Sequence, residues 1–145
     1  MTSDPGVCTV SDFVRDAALL MRDCDCGAIP VVEDRESLRL VGIITDRDIA
    51  IRAVSDGLDP ATTAVGDCMS TGISFVHPSS TIDEVEKIME NLQVRRVPVV
   101  DESGKICGIV SLADIARTRP DQKAVSVVQK VSEPAQEAEH AAFLS

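Results

Sequence analysis

The most regular feature of the chain is an apolar run, broken by one glycine, that ends in a hydroxyl residue followed three positions later by aspartate. It occurs at residues 40–49, LVGIITDRDI, and again at residues 106–115, ICGIVSLADI. An apolar run of this length predicts a buried strand, and a hydroxyl residue placed before an acid in this way predicts the start of a helix. The chain therefore contains two strand-to-helix junctions of the same design.

The two junctions belong to a longer internal repeat. Residues 29–32, IPVV, match residues 97–100, VPVV, at an offset of 68 positions. Asp48 and Asp114 are 66 positions apart, so the first copy carries two extra residues in the polar turn 33–39. Surface turns tolerate insertions, so a length change confined to this turn is what a structural repeat predicts.

Each copy is predicted to contain a strand, a helix, a two-stranded hairpin and a final helix, which gives an α+β fold. In the second copy, residues 73–76 alternate like a strand, and Thr81 with Glu84 has the capping-box pattern that opens a helix. The turn 101–104, DESG, predicts a hairpin. In the first copy, apolar residues at helical spacing after Asp12 predict the corresponding helix.

These elements divide the chain into five segments. The predicted segments are a first repeat at 5–56, a linker with a short approach helix at 57–72, a second repeat at 73–118, a C-terminal helix at 119–132 and a flexible tail at 133–145. The repeat offset places Met1 on Met69, so the approach segment of the second repeat has no counterpart in the first. Either that segment is only a linker, or the chain begins later than related chains.

The composition of the chain excludes some classes of function but says less about the fold. The formal net charge is −10, and the chain has three phenylalanines but no tryptophan or tyrosine. Nucleic-acid binding relies on basic surface and on aromatic stacking, so no nucleic-acid partner is expected. No apolar stretch is long enough to span a membrane, and no signal-peptide core is present, so we expect a cytoplasmic protein without a membrane partner.

The cysteines and the remaining motifs indicate no catalytic or metal site. Five cysteines are an odd number at irregular spacing, which favours reduced thiols over a disulfide framework. Cys24 and Cys26 suggest a metal or redox sensor, but structural zinc sites need four ligands, and only His77 and His140 could assist. No histidine accompanies a candidate nucleophile, and no Walker or dinucleotide-binding loop occurs, so an enzyme is not expected.

Two such junctions, each preceded by a hydrophobic-Pro-Val-Val strand, resemble tandem CBS domains, known as the Bateman module, over roughly residues 5–118. The sequences TDRDI at 45–49 and VRRVPV at 94–99 resemble small stand-alone CBS-pair proteins. The resemblance implies a pseudo-two-fold CBS-domain pair of β-α-β-β-α repeats packed through their sheets. It also implies a homodimer and two clefts that accept an adenosine-containing ligand: AMP, ADP, ATP, NAD or S-adenosylmethionine.

The resemblance further implies which residues touch that ligand. In the family, the hydroxyl residue faces the phosphate or ribose, and the aspartate holds the ribose hydroxyls. The ligand-binding residues predicted on this basis are Gly27, Ala28, Ile29, Pro30, Gly42, Thr45, Arg47 and Asp48 in the first repeat, and Arg95, Arg96, Val97, Pro98, Gly108, Ser111 and Asp114 in the second. No cofactor is required on this interpretation. The ligand regulates, and an unidentified protein partner reads its presence.

Each junction residue also has a purely structural interpretation. Thr45 with Asp48, and Ser111 with Asp114, can form capping boxes that satisfy the first amides of a helix without any ligand. The glycine inside each strand marks close approach, either by a ligand or by a neighbouring helix. The main alternative function is accordingly a constitutive dimerisation scaffold whose clefts bind nothing.

Basic residues distinguish the two predicted clefts. Arg95 and Arg96 precede a strand, where adjacent side chains point to opposite faces, so at most one of them is expected in a cleft. The first repeat has Gly27 and Ala28 at these positions. Arg47 lies in a first helical turn, where a cation is unfavourable by about 0.3–1 kcal/mol unless an anion lies nearby. We therefore expect the two clefts to differ in their affinity for phosphate.

Overall fold

A computed structural model describes residues 6–118, so the predicted C-terminal helix 119–132 and the tail 133–145 lie outside the described residues. The elements in chain order are β1 (Cys8–Thr9), α1 (Val14–Cys24), β2 (Ala28–Val32), β3 (Leu40–Thr45), α2 (Asp46–Asp48) with a π-helical continuation (Ile49–Val54), α3 (Val65–Cys68), α4 (Ile82–Leu92), β4 (Arg96–Val100), β5 (Ile106–Ser111) and α5 (Leu112–Thr118). Within the described range, no helix is long and apolar enough to cross a lipid bilayer.

Both repeats contain an antiparallel hairpin with the same register. In the first hairpin, Val31 of β2 lies opposite Gly42 of β3, and a bulge follows Val31. In the second, Val99 of β4 lies opposite Gly108 of β5, and a bulge follows Val99. The pairing is thus preserved although the turn of the first hairpin is two residues longer.

The strand predicted at 73–76 is wrong in extent, because only Val76 pairs, as a parallel bridge to Val99. The Val76 amide donates to the Pro98 carbonyl at 3.0 Å. The next bond of a parallel ladder would run from the amide of residue 98 to the carbonyl of Ser74, and proline has no amide hydrogen to donate. The proline that identifies the repeat in the sequence therefore also shortens the strand beside it.

The helices α1 and α4 pack on their hairpins through equivalent positions. Their buried side chains are Val14, Ala17 and Met21 in α1, and Ile82, Val85 and Met89 in α4. The predicted capping box opens α4, with the Thr81 hydroxyl accepting from the Glu84 amide at 3.1 Å and the Glu84 carboxylate accepting from the Thr81 amide at 2.7 Å. Both helices end at a residue with left-handed backbone, Asp25 and Gln93.

The repeats meet through the tips of their hairpins. The Ile106 amide donates to the Leu38 carbonyl at 2.8 Å, and the Leu40 amide donates to the Gly104 carbonyl at 3.0 Å. Val32 and Ile106 also belong to a small apolar cluster that contains residues of both repeats. The predicted α+β fold of two repeats is confirmed, with the first strand of the second repeat reduced to the bridge at Val76.

The approach segment before the second repeat packs on the first repeat. Val65 and Cys68 of α3 lie in the apolar core beneath α1. Further along, Ser70 pairs with Ile43 of β3 through two backbone bonds of 2.8 and 3.0 Å. The segment is therefore more than a linker, because it pairs with the free edge of β3 and fills the core of the repeat that precedes it.

Candidate functional site

The first junction, where β3 passes into α2, is closed by its own side chains. The Thr45 hydroxyl accepts from the Asp48 amide, and the Asp48 carboxylate accepts from the Thr45 amide, both at 3.0 Å. The Asp46 amide donates to the Gly27 carbonyl at 2.9 Å. These bonds form a capping box and satisfy three amides at the start of the helix.

The second junction, where β5 passes into α5, repeats this arrangement. The Ser111 hydroxyl accepts from the Asp114 amide, and the Asp114 carboxylate accepts from the Ser111 amide, both at 3.1 Å. The Leu112 amide donates to the Arg95 carbonyl at 2.8 Å. Most of the amides that could attract a phosphate at either helix start are thus already bonded within the protein, which the sequence pattern alone did not reveal.

Two residues that sequence reasoning missed surround the carboxylate of Asp48, which is 8% exposed. The Ser70 hydroxyl lies 3.1 Å from Oδ1 and 3.2 Å from Oδ2. Arg52 Nη1 lies 3.9 Å from Oδ1 and also donates to the carbonyl of Met69 at 2.9 Å. Arg52 stands four positions after Asp48, a helical spacing that could have suggested it, whereas nothing local indicates Ser70.

Asp114 lies in a more enclosed environment than Asp48. It is fully buried, and Ser111 beside it is 2% exposed. A buried carboxylate must be hydrogen-bonded to be tolerated, and the capping box supplies one such bond. Because water does not reach this carboxylate, a ligand hydroxyl reaches it only when the surrounding chain moves.

The glycine of the first junction strand is explained by the linker. A Cβ atom added at Gly42 would lie 2.8 Å from the Met69 sulfur and 2.8 Å from the Ser70 carbonyl oxygen. Such distances are too short for real Cβ contacts, so a side chain there would push the linker away from β3. Close approach does occur at Gly42, and the approaching group is the linker backbone rather than a helix.

One hydrogen bond connects the two junctions across the boundary between the repeats. Arg96 Nη1 donates to the Ala28 carbonyl at 3.1 Å. Within the hairpins, Ala28 lies opposite Thr45 and Arg96 lies opposite Ser111. Arg96 is half-buried whereas Arg95 is exposed, so the two arginines occupy different environments, as expected for adjacent strand residues.

The remaining predicted site residues divide into core and surface positions. Ile29 and Val97 are buried in the apolar cores of their own repeats, so only their backbone could face a ligand. Pro30 and Pro98 are also buried. Arg47 is exposed on the first turn of α2, and the cation beside Asp48 is Arg52 instead.

Sequence comparison identifies the family. A model of the CBS domain matches residues 1–54 and 65–121. Hypoxic response protein 1 of Mycobacterium tuberculosis is 42% identical over 118 residues, which cover 81% of this chain and 80% of that protein. Inosine-5'-monophosphate dehydrogenase of Bacillus subtilis is 31% identical over 116 residues, but these cover only 22% of that enzyme.

Solved structures agree with the sequence match. A crystal structure of Hypoxic Response Protein I with two coordinated zinc ions has a TM-score of 0.70 and 41% identity, and the match covers 79% of this chain and 90% of that one. The structure of CBSX2 in complex with AMP has a TM-score of 0.65 and 27% identity, covering 77% and 84% respectively. Since the family match covers both repeats, this chain belongs to the CBS domain family and carries two copies of the domain.

Proposed function

We propose that this protein is a non-catalytic regulatory module that binds an adenosine-containing ligand where its two CBS repeats meet. The observation that carries the proposal is the contact of Arg96 with the Ala28 carbonyl. Arg96 pairs with Ser111 at the second junction and Ala28 pairs with Thr45 at the first, so this contact brings a cation from one junction to the backbone of the other. A guanidinium group binds a phosphate through two parallel hydrogen bonds, which are stronger than its present bond to a neutral carbonyl. A nucleotide phosphate would therefore compete well for Arg96.

The AMP complex of CBSX2 supports an adenosine nucleotide as the ligand class. The zinc ions of the Hypoxic Response Protein I structure raise a metal as a second candidate. Residues 6–118 of this chain contain no group of three or more His, Cys, Asp or Glu side chains that could hold a metal ion. The proposal takes the nucleotide because its phosphate suits the Arg96 guanidinium.

The two junctions would bind a nucleoside unequally. At the first junction, the Ser70 hydroxyl and the Arg52 guanidinium already occupy Asp48, so a ribose hydroxyl must displace Ser70. At the second junction, Asp114 is fully buried and becomes available only after local movement. Binding is thus coupled to a conformational change at either junction, which a regulatory module requires, since a ligand shifts an equilibrium only by its differential affinity for two states.

The module would act as a homodimer and be read by a further protein. Exposed apolar side chains follow α2, at Ile51, Val54 and Leu58, and such a surface supports association. All five cysteines are free thiols, which supports a reducing, cytoplasmic location. A phosphate that takes Arg96 from Ala28 would loosen one contact between the repeats, and this change would be transmitted to the dimer surface.

The test is thermal unfolding and calorimetry with AMP, ADP, ATP, NAD and S-adenosylmethionine. A specific ligand at about 100 times its dissociation constant should stabilise the protein by about 2.7 kcal/mol. Arg96→Gln should weaken binding about tenfold or more, whereas the exposed neighbour Arg95→Gln should change it little. If no ligand in the panel raises the melting temperature, the module is a ligand-free dimerisation scaffold, and equal binding by both variants would remove Arg96 from the site.

A further inference from the structure

A pair of thiols lies beside the boundary between the repeats, in the first repeat only. Cys24 ends α1 and is half-buried, and Cys26 is buried two positions later. Asp25 between them has left-handed backbone with φ 58°, so the chain turns sharply there. The two thiols are close enough for each to shift the pKa of the other. At the equivalent positions the second repeat has Leu92 and Val94, so its counterpart cannot react in the same way.

An arginine from the other repeat completes this cluster. The Cys26 sulfur and Arg96 Nη1 converge on the Ala28 carbonyl, at 3.8 Å and 3.1 Å. The positive charge of Arg96 therefore lies near the Cys26 sulfur and lowers the pKa of its thiol. Positive charge next to a thiol favours the thiolate, which is the nucleophilic form of cysteine.

The pKa values of the two thiols are shifted in opposite directions. The interaction with Cys24 and then the charge of Arg96 outweigh burial and lower the pKa of Cys26 to about 6. The same interaction, together with burial, raises the pKa of Cys24. Elsewhere, burial raises the pKa of Cys8 to about 12 and also raises the pKa of Cys68. Ionisation is therefore favoured at Cys26 over Cys24, whereas burial keeps the thiols of Cys8 and Cys68 protonated.

We infer that Cys24 and Cys26 form a peroxide-reactive dithiol site, with Cys26 as the attacking sulfur, Cys24 as the resolving thiol and Arg96 of the other repeat as a positioning residue. The inference does not rest on the proposed nucleotide, although both involve Arg96. Cys24 is only half-buried, so solvent reaches the resolving thiol of the pair. Oxidation of this thiol pair would change the surroundings of the contact between the repeats when the concentration of peroxide rises.

The reaction proceeds in two balanced steps. The Cys26 thiolate attacks one oxygen of a peroxide, so that an S–O bond forms, the O–O bond breaks, and the departing oxygen takes a proton to leave as water or an alcohol. The Cys24 thiol then attacks the Cys26 sulfenic acid, so that an S–S bond forms, the S–O bond breaks, and the thiol proton leaves with the hydroxyl as water. Two thiols are oxidised to a disulfide, and one peroxide is reduced.

Oxidation would alter the environment of Arg96. A disulfide sulfur carries no negative charge, so the guanidinium loses its anionic neighbour while its bond to the Ala28 carbonyl remains available. The charge beside the contact between the repeats therefore depends on the redox state of a thiol pair that only the first repeat possesses.

Peptide mapping of the full-length protein after treatment with hydrogen peroxide tests the inference. Trypsin cleaves after Arg22 and Arg35, so residues 23–35 form a peptide with both thiols and no other cysteine. The expected product is this peptide, lighter by two hydrogens, while the peptides of Cys8 and Cys68 stay reduced. Cys24→Ser should instead accumulate a sulfenic acid on Cys26 that a 1,3-dicarbonyl reagent traps. Absence of the lighter peptide, or oxidation of Cys8 and Cys68 at an equal rate, would overturn the inference.

Arginine variants test the positioning role. Arg96→Gln should move the midpoint of the pH–alkylation profile of Cys26 upward and slow alkylation near pH 6 by about tenfold for each pH unit of the shift. Arg96→Lys should retain much of the reactivity because it retains the charge, and Arg95→Gln should match the wild type. An unchanged midpoint in Arg96→Gln, with its melting temperature preserved, would exclude Arg96. If Arg96→Gln fails to fold, the test uses Arg96→Lys alone. Its pH–alkylation profile of Cys26 should match that of the wild type, and a profile like that of an ordinary thiol would reject the charge effect.

Discussion

The two strand-to-helix junctions are alike in the bonds that build the fold and different in the charges around them. Their capping-box distances agree closely, at 3.0 Å for Thr45 and Asp48 and 3.1 Å for Ser111 and Asp114. The first junction holds its carboxylate with Ser70 from the linker, whereas the second is buried completely. A repeat can therefore preserve a folding motif while its two copies become chemically unequal.

The largest expected effect separates the two carboxylates. Asp114→Ala leaves the Ser111 amide buried without its partner, which should lower the free energy of unfolding by about 2–4 kcal/mol. Asp48→Ala should cost about 1–2 kcal/mol, because Ser70 is half-buried and Arg52 is exposed, so water can replace the lost contacts. Urea unfolding of both variants measures the difference. Equal losses would mean that burial does not distinguish the junctions.

The next effect concerns the contact between the first junction strand and the linker. Gly42→Ala places a Cβ atom 2.8 Å from the Ser70 carbonyl, and overpacking of this kind should cost about 1–3 kcal/mol. Thermal unfolding provides the measurement, with Ala18→Ser on the exposed side of α1 as a mild control. An unchanged melting temperature would show that the linker moves away from β3 without loss.

The local features of this fold could be predicted from the sequence, and the contacts between distant residues could not. Helix starts and hairpin turns follow from residues a few positions apart, such as Thr81 with Glu84, and these predictions are confirmed. The hydrogen bond from Ser70 to Asp48 spans 22 positions, and that from Arg96 to Ala28 spans 68. No short-range sequence pattern predicts such pairs. The sequence could therefore not show that some of the predicted ligand-binding groups are already hydrogen-bonded to distant residues of the protein.

A third effect depends on pH and concerns a group that only the first repeat contains. The folded pKa of Cys26, about 6, lies below the ordinary thiol value of 9.0, so the unfolded chain binds more protons between these values. Its contribution to stability is thus present above pH 9, diminishes as the pH falls, and is lost near pH 6. Cys24 has a raised pKa, so its contribution is present below the ordinary value and stays nearly constant in this window.

The measurement is urea unfolding under reducing conditions for the wild type and Cys26→Ser. The stability advantage of the wild type should grow from about pH 6 to about pH 8, by no more than about 1.4 kcal/mol per pH unit. Cys107→Ser, which lies outside the Arg96 cluster, is the matched control and should show no such growth. A constant difference across the range would contradict the thiolate assignment.

The smallest expected effect sharpens the comparison at the first junction alone. Ser70→Ala removes the hydroxyl from Asp48 but keeps the backbone bonds to Ile43, so it should cost only about 0.5–1.5 kcal/mol. If Ser70 obstructs a ribose at this junction, the variant should bind the proposed nucleotide more tightly, by up to about tenfold. Calorimetry distinguishes the outcomes, and weaker binding would show that Ser70 assists the ligand instead.

The position of the linker decides where this chain can be cut into fragments that fold. Ser70 lies in the linker just before the second copy, yet its backbone pairs with the sheet of the first copy, and Val65 fills the core of the first. The unit that folds therefore extends beyond the predicted first repeat at 5–56. A fragment ending at residue 56 would lack part of its own interior, whereas one ending just beyond Ser70 would contain it, so the natural cutting point lies at the end of the linker and not at its start.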